Sequence, residues 1–132
     1  MRLHTGRRRL YARGVLRLLV LSVLATIAVA AAGVALAVGN PAAGKKVFAA
    51  NGCGGCHTFR PAGSKGTIGP ALTKVRLTAD AKRAKQPYAV FIRTSIVKPK
   101  AFVAKGYKPV MPSYAKLSKK QLDDLVAFVA KG

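Results

Sequence analysis

The chain opens on a polar, basic stretch and runs straight into an apolar one. Residues 1–17 hold Arg2, Arg7, Arg8, Arg9, Arg13 and Arg17 and no acid, and from Leu18 to Val38 no charged side chain occurs. A helix of ~20 apolar residues, rising ~1.5 Å per residue, crosses the ~30 Å hydrocarbon core of a bilayer. Arginines ahead of such a run stay on the cytoplasmic side, so the chain beyond Gly39 is expected on the outer, extracytoplasmic side. The length of residues 18–38 favours a retained single-pass anchor in the cell membrane, because a cleaved signal usually has only ~7–15 apolar residues. The alternative is a signal cut near Ala28-Val29-Ala30 or Ala35-Leu36-Ala37, two small-x-small sites, which would leave a secreted or periplasmic protein.

Beyond Asn40 the pattern breaks into short stretches. Residues 41–52 (PAAGKKVFAANG) read as a helix with Pro41 near its start and Asn51-Gly52 as the left-handed turn that ends it. Gly44 and Phe48, four apart, share a face. Residues 58–74 carry glycine or proline every few positions and read as loop. Tyr88, Phe91, Ile92 and Ile96 recur at helical spacing within residues 86–97, and Lys98-Pro99 closes that helix. Ser118 with Gln121 three positions on is a capping box. It opens a last helix in which Leu122, Leu125, Val126 and Val129 form one stripe with Phe128 on its flank. No internal repeat and no convincing strand is present, so the part outside is expected to be small and all-α.

Composition narrows the chemistry. The chain has 132 residues, with 24 Lys+Arg against 3 Asp+Glu and a net charge of +21. Six of the basic residues precede Gly39, which leaves 18 against all three acids (Asp80, Asp123 and Asp124) beyond it. So few carboxylates leave little room for paired-carboxylate catalysis, two histidines exclude a histidine-rich metal cage, and two cysteines exclude a disulfide framework. The lysines are spread along the chain rather than gathered on one helix, and an exported domain has little access to nucleic acid, so nucleic acid is not expected as a partner. Attraction to anionic headgroups or to acidic docking faces of membrane redox complexes fits better, with Lys105 and Lys108 the best candidates for a docking rim; a merely soluble basic surface is the plainer reading.

The chemistry concentrates in Cys53-Gly54-Gly55-Cys56-His57, the C-x-x-C-H attachment signature of c-type haem. Two thiols three positions apart can each form a thioether to one porphyrin vinyl group, and the adjacent imidazole then reaches the iron. A bare C-x-x-C also occurs in thioredoxin-like redox pairs and in zinc sites. The first needs a βαβ context absent from this pattern. The second needs a fourth ligand that the surrounding residues do not offer. The second axial ligand follows by elimination: beyond Gly39 the only methionine is Met111 and the only histidine is His57, while Met1 and His4 lie across the expected membrane.

At these residues the chain resembles the class I cytochrome c family, over residues 41–132. In that family a Met-Pro loop before the final helix supplies the distal ligand, as Pro109-Val110-Met111-Pro112 would here. Gly69-Pro70-Ala71-Leu72 resembles the family's Gly-Pro-x-Leu stretch, which implies that the Pro70 carbonyl accepts from the His57 imidazole and that Leu72 packs on the haem. Gly44, Phe48 and Phe128 match the crossing of the first and last helices. Ser95-Ile96-Val97-Lys98-Pro99 through Gly106-Tyr107 is similar to haem domains associated with terminal oxidases. The resemblance implies a small cytochrome c fold, its N- and C-terminal helices crossing around one covalent haem c. Cys53, Cys56, His57, Pro70 and Met111 would bind the cofactor, with His57 and Met111 on the iron. Tyr107 and Tyr114 could bond a propionate or simply stand at the solvent edge. The expected function is a one-electron carrier of a respiratory chain rather than an enzyme, because iron with both axial positions filled offers no open site to a substrate. The alternatives are an electron-transfer subunit of a larger oxidase or oxidoreductase complex and, more remotely, a haem-based gas or redox sensor.

Overall fold

In this computed structural model the described residues are 39–132. The basic segment 1–17 and the apolar run 18–38, expected as a membrane anchor or signal, lie outside them. Among the described residues no helix is long and apolar enough to cross a membrane.

Five helical elements and one small ladder follow in order: α1 (Pro41–Ala50), the single turn α2 (Cys53–Cys56), β1 (Thr58–Phe59), β2 (Ser64–Lys65), α3 (Lys74–Arg83), α4 (Tyr88–Val97) and α5 (Lys119–Val129). The ends of these helices have local causes. The Asn40 side chain accepts from the backbone N–H groups of Ala42 and Ala43, Pro41 takes the first helical position, and Gly52 turns the chain out of α1 with φ 65°. At α5 the capping box is formed on both sides: Ser118 Oγ accepts from Gln121 N at 3.2 Å, and Gln121 Oε1 accepts from Ser118 N at 2.9 Å.

The first and last helices meet backbone to backbone. A Cβ added at Gly44 would stand 2.0 Å from the Asp124 carbonyl oxygen and 2.7 Å from Phe128 Cβ, so only glycine permits this crossing. Phe48 and Phe128 then pack with ring centroids 5.6 Å apart, and Phe59 completes the cluster at 5.5 Å and 5.1 Å from them. Leu122, Leu125, Val126 and Val129 are buried as their spacing required, and Phe128 on the flank of that stripe is buried with them.

Two elements depart from the sequence reading. Residues 58–74 contain a ladder, Thr58 opposite Lys65 and Phe59 opposite Ser64, closed by a 3₁₀ turn at Arg60–Ala62 and by Gly63 at φ 68°. Two residues per strand are too few to show alternation, which is why no strand was expected. The all-α expectation otherwise holds, for the described residues are mostly helical. The second departure is α3, within a stretch of residues 74–83 that shows no helical stripe of large apolar residues. Thr73 caps it, its Oγ1 accepting from Arg76 N at 3.2 Å, and only Leu77, Asp80 and Ala81 are buried.

A buried carboxylate ties the two crossing helices. Asp124 Oδ2 accepts from Lys120 Nζ and Oδ1 from the backbone N–H of Asn40, at 2.8 and 2.7 Å. The lysine first and the Asn40 N–H second hold its carboxyl below the usual range. A depressed folded value means that this stability is present above the ordinary carboxylate pKa of ~3.9 and is lost as pH falls through the folded value. Melting temperature should therefore drop on acidification below about pH 4. D124N should lower it at neutral pH and flatten the acid drop, read by circular dichroism across a pH series. An unchanged acid profile in D124N would remove this tie from the account.

Candidate functional site

The helical turn α2 presents Cys53 and Cys56, and the chain then leaves in an extended conformation at His57 (φ −113°, ψ 132°). This places the imidazole at the edge of the turn rather than within it. His57 N donates to Cys53 O at 3.1 Å, and Ser64 Oγ donates to His57 O at 2.8 Å, so the residue is fixed from both sides. Nδ1 donates to the Pro70 carbonyl at 2.7 Å. A carbonyl can only accept, so the proton sits on Nδ1 and Nε2 keeps its lone pair. Among the described residues Nε2 has no hydrogen-bond partner.

Gly69 explains how the backbone comes so near. A Cβ there would stand 2.5 Å from the imidazole Cε1, so the peptide lies directly against the ring. Gly69 N donates to Cys56 O at 2.8 Å and Leu72 N to Thr58 O at 2.9 Å, which straps residues 69–72 onto the cysteine turn. The sequence reading recognised Pro70 and Leu72 here and missed what the glycine does.

Cys53 and Cys56 form no disulfide with each other. Burial pushes the Cys53 thiol up against a backbone hydrogen bond that lowers it, and neighbouring Cys56 adds to the rise.

Met111 sits in a loop pinned just after it. Ser113 Oγ donates to Val97 O at 2.6 Å, Tyr114 N to Ile96 O at 3.1 Å, and Tyr114 Oη to Asn51 O at 3.2 Å. Tyr114 therefore spends its hydroxyl on the end of α1. Tyr107 lies with its ring under the Arg76 guanidinium, 5.5 Å from carbon to centroid.

Cys53, Cys56, His57, Pro70 and Met111 all line one cleft, together with Phe48, Leu72, Phe91, Ile92, Phe102, Leu125 and Val129. Its cavity volume is about 150 Å³, with further space open to solvent. Ile68 and Val110 at its mouth are 59% and 60% exposed, and Lys108 stands with them; Lys105 is exposed but does not line the cleft.

The donor set decides what fits. Among the described residues no three His, Cys, Asp or Glu side chains gather as a metal site. Among the donors that line the cleft are one imidazole nitrogen and one thioether, and without a gathered set of three such side chains it does not suit a bare ion, which takes about four protein donors in a structural site. Iron that brings its own four ring nitrogens needs only those two, and apolar walls suit the flat face of a porphyrin. The family model that matches residues 41–132 is that of cytochrome c.

The chain belongs to the cytochrome c family. Membership implies one covalent haem c and haem-based electron transfer, and Cys53, Cys56 and His57 fit its C-x-x-C-H motif. No curated protein matches this cytochrome. Its cleft fits the cofactor on independent grounds: an imidazole whose Nε2 has no partner among the described residues, a thioether and two thiols line one largely apolar cleft.

Proposed function

We propose that this cytochrome is a one-electron carrier of a respiratory chain, held by residues 18–38 on the outer face of the cell membrane. The observation that carries the reading is the single apolar cleft shared by His57 and Met111. When bound, the haem supplies a one-electron iron couple, whose potential His/Met ligation raises. The chain's residues do the rest. Cys53 and Cys56 tether the ring, Pro70 fixes the His57 tautomer, and the phenylalanine and leucine walls keep water from stabilising the ferric charge. His57 and Met111 would hold the iron between them and leave it no open position for a substrate, which makes the protein a carrier rather than an enzyme.

The mouth suits brief contact with an acidic partner. Ile68 and Val110 offer a small apolar centre, and Lys108, with Lys105 nearby in the chain, offers positive charge at its edge. Membrane redox complexes with acidic docking surfaces fit this chemistry, and the excess of lysine steers them from a distance.

The test uses the full chain expressed with haem-attachment machinery. A haem-stained band should remain with the membranes after a high-salt wash. Electron transfer to a membrane oxidase should slow about tenfold between roughly 0.01 and 0.5 M salt, as the Debye length contracts from ~30 Å towards a few ångströms. A band found only in the soluble fraction would remove the anchor, and a rate indifferent to salt would remove the lysine docking.

A further inference from the structure

Among the charged side chains that line the cleft, Lys108 stands exposed at the mouth, whereas Asp80 of α3 is buried, only 2% exposed. Both of its carboxylate oxygens are taken. Oδ2 accepts from Arg76 Nε at 3.1 Å, and Oδ1 accepts from a terminal guanidinium nitrogen of Arg83. The spacings of four and three residues put both arginines on the face of α3 that carries the carboxylate. Each guanidinium also lies over an aromatic ring: Arg76 is 5.5 Å from the centroid of Tyr107, and Arg83 is 5.7 Å from that of Phe102. Both rings line the cleft, in the segment that leads into the methionine loop.

A flexible arginine on its own samples many rotamers. A buried carboxylate that bonds two of them fixes the plane of each guanidinium, and a fixed plane stacks on a ring more firmly than a mobile one. Only Lys108, Pro109 and Val110 separate Tyr107 from Met111, and the proline stiffens that link. The far end of the loop is already fastened by Ser113 and Tyr114. The near end has the two stacked rings.

We propose that Asp80 is a positioning residue: through Arg76 and Arg83 it clamps the Phe102–Tyr107 wall onto α3 and so holds Met111 at the cleft. It touches neither iron nor partner, and its effect is on how readily the methionine gives way. The inference rests on Met111 being the iron's sulfur ligand.

The measurement is an imidazole titration of the ferric, full-length holoprotein, followed in its visible spectrum. Imidazole binds only where the sulfur has let go, so its apparent affinity counts the open fraction. D80N should raise that affinity about tenfold with the haem still attached, and D80E should return it to within about threefold of the parent. Should D80N fail to fold, R76M and Y107L give the same reading, each raising the affinity. Together they should do no more than the larger single effect, because both break one contact. A folded D80N with parental affinity, or strictly additive effects of R76M and Y107L, would overturn the clamp. M111A in the same titration separates the two levels of the argument. If it fails to raise imidazole affinity, the ligand reading falls and the clamp with it; if it raises the affinity while D80N does not, only the clamp is wrong.

Discussion

Replacing Met111 with alanine should open the iron to carbon monoxide in the reduced protein and lower its reduction potential by on the order of 100 mV, within the ~0.8 V that axial ligation spans. A thioether is a soft, neutral ligand that favours the ferrous state, and Met111 carries the only sulfur that lines the cleft besides those of Cys53 and Cys56. Water taking its place favours the ferric state instead. The side chain is half-buried and the loop keeps its bonds through Ser113 and Tyr114, so the fold should lose little. Melting temperature should move by only a few degrees, as suits a change of about 1 kcal/mol in a small domain. Potentiometry and carbon monoxide difference spectra of parent and M111A decide the matter. An unchanged potential with no carbon monoxide binding would show that another group holds that position.

What could be read from the chain, and what could not, follows from how each residue acts. Cys53, Cys56 and His57 were legible because the C-x-x-C-H motif accepts very few side-chain types at set spacing, and Met111 was legible as a cleft residue because no other methionine lies beyond Gly39. The bounds of α5 were legible because Ser118 and Gln121 bond each other locally. Phe59 was not: it lies in a segment of turns and is 1% exposed because Phe48 and Phe128, distant in sequence, close over it. Nor was α3, whose inward face is built from Leu77, Ala81 and an aspartate, a residue type seldom fully buried unless paired. Asp80 becomes intelligible only beside the rings of Phe102 and Tyr107, brought to Arg83 and Arg76 by tertiary folding. The same holds for Gly69, whose glycine reads as a turn until the imidazole is seen against it. Local rules thus reached the donors and the helix ends. They stopped at contacts whose partners are far along the chain.

Among substitutions away from the iron, Gly44→Val should cost most. The added Cβ would stand 2.0 Å from the carbonyl oxygen and 2.6 Å from the carbonyl carbon of Asp124, and these are backbone atoms in the middle of α5 that no rotamer change can move aside. The helices must part instead. Parting them breaks the Asn40–Asp124 bond and loosens the stacking of Phe48 on Phe128. A loss of about 3–4 kcal/mol is expected, which in a domain of this size lowers the melting temperature by roughly 15 °C or more. Gly44→Ala should fall between the two, since its single carbon meets the same oxygen without the two further methyl groups. Because Phe48, Leu125 and Val129 on these helices also form walls of the cleft, haem incorporation should fall together with stability. Thermal unfolding and haem content per polypeptide, measured on both variants, make the check. A valine variant that melts within a few degrees of the parent would mean that α1 and α5 do not cross at this glycine, and the wall behind His57 would need another origin.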